Sequence, residues 1–264
     1  MKRIIAGVAA AAASLLLFAA PAQAAPTRAA APDPVAALKK AYAEGRGVKI
    51  KESSYSSSMF GKDASGTSRG VVGFGPRGVS AYDIVQRDPT LGRSHLIHVK
   101  GDTYADAKWV GDLPEGIKWV KYSGERPVAA TIQPINIFDA KVLRGALAKA
   151  KLVKGGEYRG SMSFKQLATL SGQKLKGDLG KFMSKIKVSY RIFTGRSGLV
   201  SRVRSEMTMD FGLLGNLRSV VDSQYYEWGL KVKIQAPPKD EVIDAKDLNS
   251  APADPPAYEV VPTQ

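Results

Sequence analysis

The 264-residue chain contains no cysteine. That excludes disulfides, a disulfide-linked partner, thiol nucleophiles, thiolate-bound zinc and a lipid-modified N-terminal cysteine. Histidine is almost as scarce: His95 and His98 are the whole supply. In an extended segment their odd spacing sends the two imidazoles to opposite faces, so they do not share a metal. Each reads as a surface or boundary residue. Nor is there a long apolar run after the first twenty residues, so no later segment is expected to span a bilayer.

Two catalytic patterns are present but lack the structure they need. Gly66, Ser68 and Gly70 fit Gly-x-Ser-x-Gly, whose nucleophile requires a strand-to-helix turn. Here Val71 to Phe74 reads as strand. Gly73, Gly75 and Gly78 fit Gly-x-Gly-x-x-Gly, but Pro76 and the run Val79 to Tyr82 predict a hairpin where a dinucleotide site needs a helix. No helix-turn-helix or RNP signature accompanies the basic charge, so nucleic acid is not an expected partner. We therefore expect no catalytic residue, no metal and no cofactor.

What is present starts with a leader. Lys2 and Arg3 precede the apolar stretch Ile4–Ala20, and Ala22 and Ala24 form an Ala-x-Ala cleavage site. Residues 1–24 read as a signal peptide cut near Ala24–Ala25, which places the remainder outside the cytoplasmic membrane. About 240 residues then remain, enough for one large domain without disulfides.

The formal charge is +15. It is unevenly spread, because the tail 238–264 sets Lys239 and Lys246 against Asp240, Glu241, Asp244, Asp247, Asp254 and Glu259. The positive excess therefore lies in 25–237. Such a field favours anionic partners such as a membrane surface or a wall polymer.

The strongest periodicity runs from Ile186 to Pro238. Ile186, Val188, Tyr190 and Ile192 alternate with Lys187, Ser189 and Arg191. After the turn 194–198, Leu199, Val203, Met207, Met209 and Phe211 share one parity, and Arg202, Arg204, Glu206, Thr208 and Asp210 the other. This is a hairpin of strands with one apolar and one charged face. Ser219–Trp228 and Leu230–Pro238 continue it. A first meander is expected over 48–122, with strands parted by glycine turns. Asp33 and Pro34 open a short helix carrying Val35, Leu38 and Tyr42. Arg126–Ile137 reads as a crossing loop. Phe138 to Ala150 has helical spacing, with Asp139 as its cap and Gly145 as an internal cost of about 1 kcal/mol. Glu157–Phe164 reads as strand, Gln166–Met183 as loop with a short helix, and the acidic tail as surface-bound or disordered. The fold class is α+β, with about ten to eleven strands.

The apolar face of the hairpin region offers Val188, Tyr190, Ile192, Val203, Met207, Met209, Phe211, Tyr226 and Trp228. They form either a core under helices or the wall of a ligand cavity. Sulfur interleaved with aromatic rings suits a pocket that adapts to flexible chains.

The order of elements and three stretches of sequence carry a resemblance. The stretches are the hairpin Ser189–Gly195 to Gly198–Arg202, the Trp119–Tyr122 strand, and the close Tyr226–Ile234 with Ala236 to Pro238. The chain resembles bacterial LolA-like proteins and is similar to the actinobacterial LppX/LprG type over Pro34 to Asp244. The resemblance implies an incomplete antiparallel β-barrel over 25–237 with helices covering its open side. It also implies a non-enzymatic carrier of lipid, another amphiphile or lipoprotein in the cell envelope. Some relatives instead sense the state of the envelope, so a binding module with a self-filled barrel is the alternative. The missing lipobox cysteine departs from the LppX/LprG pattern and implies free secretion.

Overall fold

A computed structural model of the chain describes residues 32–57, 63–88, 92–106, 113–124, 130–153, 155–173, 175–210, 212 and 215–248. The expected signal, Phe211 and the tail beyond residue 248 lie outside the described residues. Asp33 caps the first helix, α1 (Pro34–Ala41), by accepting from Val35 N at 3.0 Å. Val35 and Leu38 form its buried stripe.

Six strands follow as a meander: β1 (Arg46–Ser56), β2 (Ala64–Gly75), β3 (Gly78–Asp88), β4 (Gly92–Val99), β5 (Asp102–Asp106) and β6 (Trp119–Ser123). Each pairs antiparallel with the next. Gly73 to Gly78 is the β2–β3 hairpin, with strand on both sides.

The second meander is preceded by an irregular segment, 130–139, and by α2 (Ala140–Ala148). It consists of β7 (Ala150–Val153), β8 (Glu157–Ser163), β9 (Lys187–Thr194), β10 (Val200–Asp210) and β11 (Asn216–Lys231). Two helices interrupt it after β8: α3 (Phe164–Leu170), closed by a Ser163–Gln166 capping box, and α4 (Gly177–Lys185). Gly145 sits inside α2 because Leu170 packs there; a Cβ at this glycine would lie 2.5 Å from Leu170 Cδ1.

The meanders join through their first and last long strands, β1 and β11, which pair antiparallel. One further strand, β12 (Val242–Asp244), lies parallel to β6. The result is one twelve-stranded sheet, in the order β12-β6-β5-β4-β3-β2-β1-β11-β10-β9-β8-β7. It is not closed, since β12 and β7 are edges. The sheet is mostly antiparallel, as expected for an open barrel.

Four expectations are corrected. Among the described residues the strands number twelve, because two short ones were hidden. Ala150 begins β7 and does not end a helix. The stretch 166–183 is mostly helical, as α3 and α4. The acidic tail is bound in its first part, since β12 belongs to the sheet and Lys118 and Lys121 pair with Glu241 and Asp244.

The link from β11 to β12 is a strap over the outer face. Gly47 points outward from β1, and a Cβ there would lie 2.6 Å from Val232 Cγ2. A Cβ on Gly73 of β2 would lie 3.6 Å from Ile234 Cδ1. The missing side chains form the trough in which the strap crosses. Leu230–Pro238 is therefore not a separate strand: β11 ends at Lys231 and an extended crossing follows.

Candidate functional site

The inner face of the sheet is covered by the segment 130–148 and the helices. Ile135, Ile137, Val142, Leu143 and Ala146 are each 0% exposed. Opposite them stand the predicted wall residues of β9 and β10. Val188 pairs with Met207, Ile192 with Val203, and Tyr190 with Ser205. Val188, Tyr190, Ile192, Val203 and Met207 are all buried, and Met209 is partly buried against the same core. With Trp228, which packs against the same core, the structure thus brings seven of the nine predicted residues together. The Tyr190 hydroxyl donates to Ala146 O at 2.8 Å, and burial pushes its pKa up to about 12.

Tyr226 and Trp228 part company. Both have even numbers, but Glu227 between them has φ +54°, and the β1–β11 register shifts there. This bulge reverses the alternation. Trp228 turns inward, donating from Nε1 to Val200 O at 2.9 Å and stacking on Phe74 at 5.8 Å. Tyr226 turns outward and is 42% exposed, so it lies on the opposite face from the other wall residues.

Sequence reasoning missed a polar row across this inner face. Ser94, Gln86, Ser68, Glu52 and Ser223 are register partners on the adjacent strands β4, β3, β2, β1 and β11. All five are buried. Glu52 is the centre. Thr131 Oγ1 and Ser223 Oγ donate to its Oε1 at 2.5 and 2.7 Å, and Ile132 N donates to Oε2 at 3.1 Å. Burial pushes the Glu52 carboxyl above its ordinary range, against the opposing pull of these three bonds. Gln133 extends the network, donating from Nε2 to Ser223 Oγ at 3.1 Å and to Val203 O at 3.2 Å.

Among the described residues, two buried polar atoms of this interior, Ser68 Oγ and Gln133 Oε1, have no hydrogen-bond partner within the protein. Ser68 belongs to the inner parity of β2, and Gln133 to the segment that covers it. Such atoms cost about 1–3 kcal/mol each when left unpaired. The available signal was Glu52 itself, which continues the inner parity set by Val48 and Ile50.

Ser68 is mid-strand in β2, at 2% exposure, and not on a strand-to-helix turn. The histidines do face opposite ways. His95 Nε2 lies 2.7 Å from Asp83 Oδ1 on the outer side. His98 is buried on the inner side, 2.9 Å from Thr103 Oγ1 and stacked on Tyr82, so it is not the boundary residue expected. Burial lowers its pKa. Among the described residues no group of three or more metal-ligating side chains converges, and no helix is long and apolar enough to cross a membrane.

No protein-family model matches the chain, and no curated protein matches it. Solved structures do. One is a LolA superfamily protein from Nitrosomonas europaea, with 8% identity and a TM-score of 0.32 over 76% of this chain and 93% of that one. Another is a DUF1329 family protein from Desulfovibrio piger, with 12% identity and a TM-score of 0.28 over 77% of this chain and 96% of that one.

Proposed function

We propose that this is an exported, non-catalytic amphiphile-binding protein whose ligand takes the place of the segment 130–138 on the inner face. The observation that carries the reading is how that segment is held. It fills an apolar wall but forms no strand and no helix. Among the described residues, each hydrogen bond that anchors it to the rest of the fold involves a side chain. Glu52 and Ser223 hold the start of the segment, and the Tyr42 hydroxyl donates to Phe138 O at 2.6 Å at its end.

The magnitudes support exchange. Ile132, Ile135 and Ile137 contribute about 1.5–3 kcal/mol each by burial, and an acyl chain gains about 0.8 kcal/mol per methylene. A chain of roughly ten methylenes is therefore of the same order as the three isoleucines it would displace. The polar row beside this wall supplies hydroxyl, amide and carboxyl partners for a head group. The LolA-like resemblance of the hairpin residues points the same way.

The test is direct. The protein is purified from its natural host and extracted with organic solvent, and the extract is read by mass spectrometry. A bound amphiphile is expected, with weaker uptake in Val203→Trp. A lipid-free protein that also takes up no added fatty acid would sink the reading. That result would favour a self-filled barrel that acts as an envelope binding module, for which the complete burial of Ile135, Ile137 and Leu143 speaks.

A further inference from the structure

The outer face holds a second feature, independent of the inner wall. A groove of about 540 Å³ lies beside the strap. Its floor is the outward face of β2 and β3, with Val71 and Val85, and the strap forms one side. Arg69, Lys231 and Lys233 line it, and so does Tyr226. Two further ionic residues of the lining are already engaged: Lys49 with Glu227, and Asp83 with His95.

Several arginines elsewhere on the outer face have carboxylate partners. Arg202 and Arg204 share Asp222, Arg218 pairs with Glu206, and Arg159 pairs with Glu157. Among the described residues Arg69, Lys231 and Lys233 have none. All three are exposed. Asp83 adds one carboxylate to the same lining, so the groove keeps an excess of positive charge, an arrangement relieved by a bound anion. Arginine adds a planar fork that matches phosphate oxygens. The apolar floor and the tyrosine ring suit a hydrocarbon or ring attached to that anion.

We infer that this groove binds a phosphate-headed amphiphile, with its head between Arg69, Lys231 and Lys233 and its apolar part over Val71 and Val85. The site is on the opposite face from the inner wall, and it stands or falls separately from carriage in the interior.

The experiment titrates the purified protein with monomeric dihexanoyl phosphatidic acid, dihexanoyl phosphatidylcholine and inorganic phosphate, followed by calorimetry. Phosphatidic acid is expected to bind at least tenfold more tightly than either control, and raised salt should weaken it. The triple variant Arg69→Ala, Lys231→Ala, Lys233→Ala should lose at least tenfold. Lys231→Arg with Lys233→Arg should retain binding, which separates charge from folding. A chain taken into the interior would be indifferent to these cations. Undiminished binding by the triple variant therefore overturns the inference. So does phosphate binding as tightly as phosphatidic acid, since the apolar floor would then contribute nothing.

Discussion

Strand β1 presents Glu52 to the inner face and Lys49 and Lys51 to the outer one. The inner carboxylate is 1% exposed and satisfied by three donors, two of them from the segment that covers the sheet. The outer cation Lys49 reaches its partner Glu227 on the neighbouring strand, with 38% and 51% of the two side chains exposed. The same alternation thus yields two kinds of electrostatics. Inside, removing a partner strands buried polar groups at full desolvation cost. Outside, water and salt replace a lost partner.

Substitutions of graded severity sharpen this contrast. The largest effect is expected from Glu52→Ala, which leaves the Thr131 and Ser223 hydroxyls and the Ile132 N–H without their acceptor. A loss of at least about 3 kcal/mol in urea unfolding follows from three unsatisfied donors at about 1–3 kcal/mol each. Hydrogen exchange in 130–138 should rise before exchange in β9 and β10. Unchanged protection of that segment would show that Glu52 does not hold it.

Next comes Gly47→Val. Its Cβ would collide with the Val72 carbonyl oxygen and press on Val232. Overpacking of this kind costs about 1–3 kcal/mol. Proteolysis within 232–241 should accelerate if the strap is displaced, and an unaltered cleavage pattern would break the claim that the glycine makes its trough.

The pH dependence separates the faces by sign. The folded pKa of Glu52 is raised, so its favourable contribution is complete below the unfolded value and is lost as pH rises through the folded one. Asp222, Glu206 and Glu157 are held below their usual range, each first by a hydrogen bond from an arginine: Arg202, Arg218 and Arg159 respectively. Their contribution is present above the unfolded values and is lost as pH falls through the depressed ones. Urea midpoints across pH 3–9 (roughly the span of ordinary and shifted carboxyl values) should therefore decline at both ends. Glu52→Gln should flatten only the upper limb, and Asp222→Asn should weaken only the lower.

Asp222→Ala at neutral pH should cost less than about 1 kcal/mol, because Arg202 and Arg204 remain largely solvated. The smallest effect belongs to Lys181→Ala. Its pair with Asp178 is almost wholly exposed, at 80% and 98%, and no change in the unfolding midpoint is expected.

Legibility followed the kind of force involved. The β9–β10 hairpin was readable because one face is buried and the other wet, which writes a period of two into the side chains. The caps Asp33 and Asp139 were readable because their partners are two or three residues away. β12 was not readable. Its three residues lie in an acidic, proline-bearing stretch and become strand only beside Trp119, Val120 and Lys121. The helices α3 and α4 were blurred by glycine, since Gly172 and Gly177 both have positive φ at the break and Gly180 lies inside the second helix. Trp228 and Tyr226 were assigned to one face because nothing local announces a left-handed glutamate between them. The polar row was invisible for a further reason: Ser94, Gln86, Ser68, Glu52 and Ser223 are scattered along the sequence and meet only through strand register.

The strap also sets an order of assembly. Within each meander neighbouring strands can pair soon after both exist, because short turns join most of them. The β1–β11 contact must close nearly the whole domain, as the 178-residue separation of Lys49 and Glu227 shows. Only when that seam has formed does the chain leaving β11 have a surface to cross and β6 within reach. The parallel pairing of β12 is therefore expected to follow that seam, which pulse-labelled hydrogen exchange during refolding would check. The Lys118–Glu241 contact, spanning 123 residues, reports that both halves have been joined.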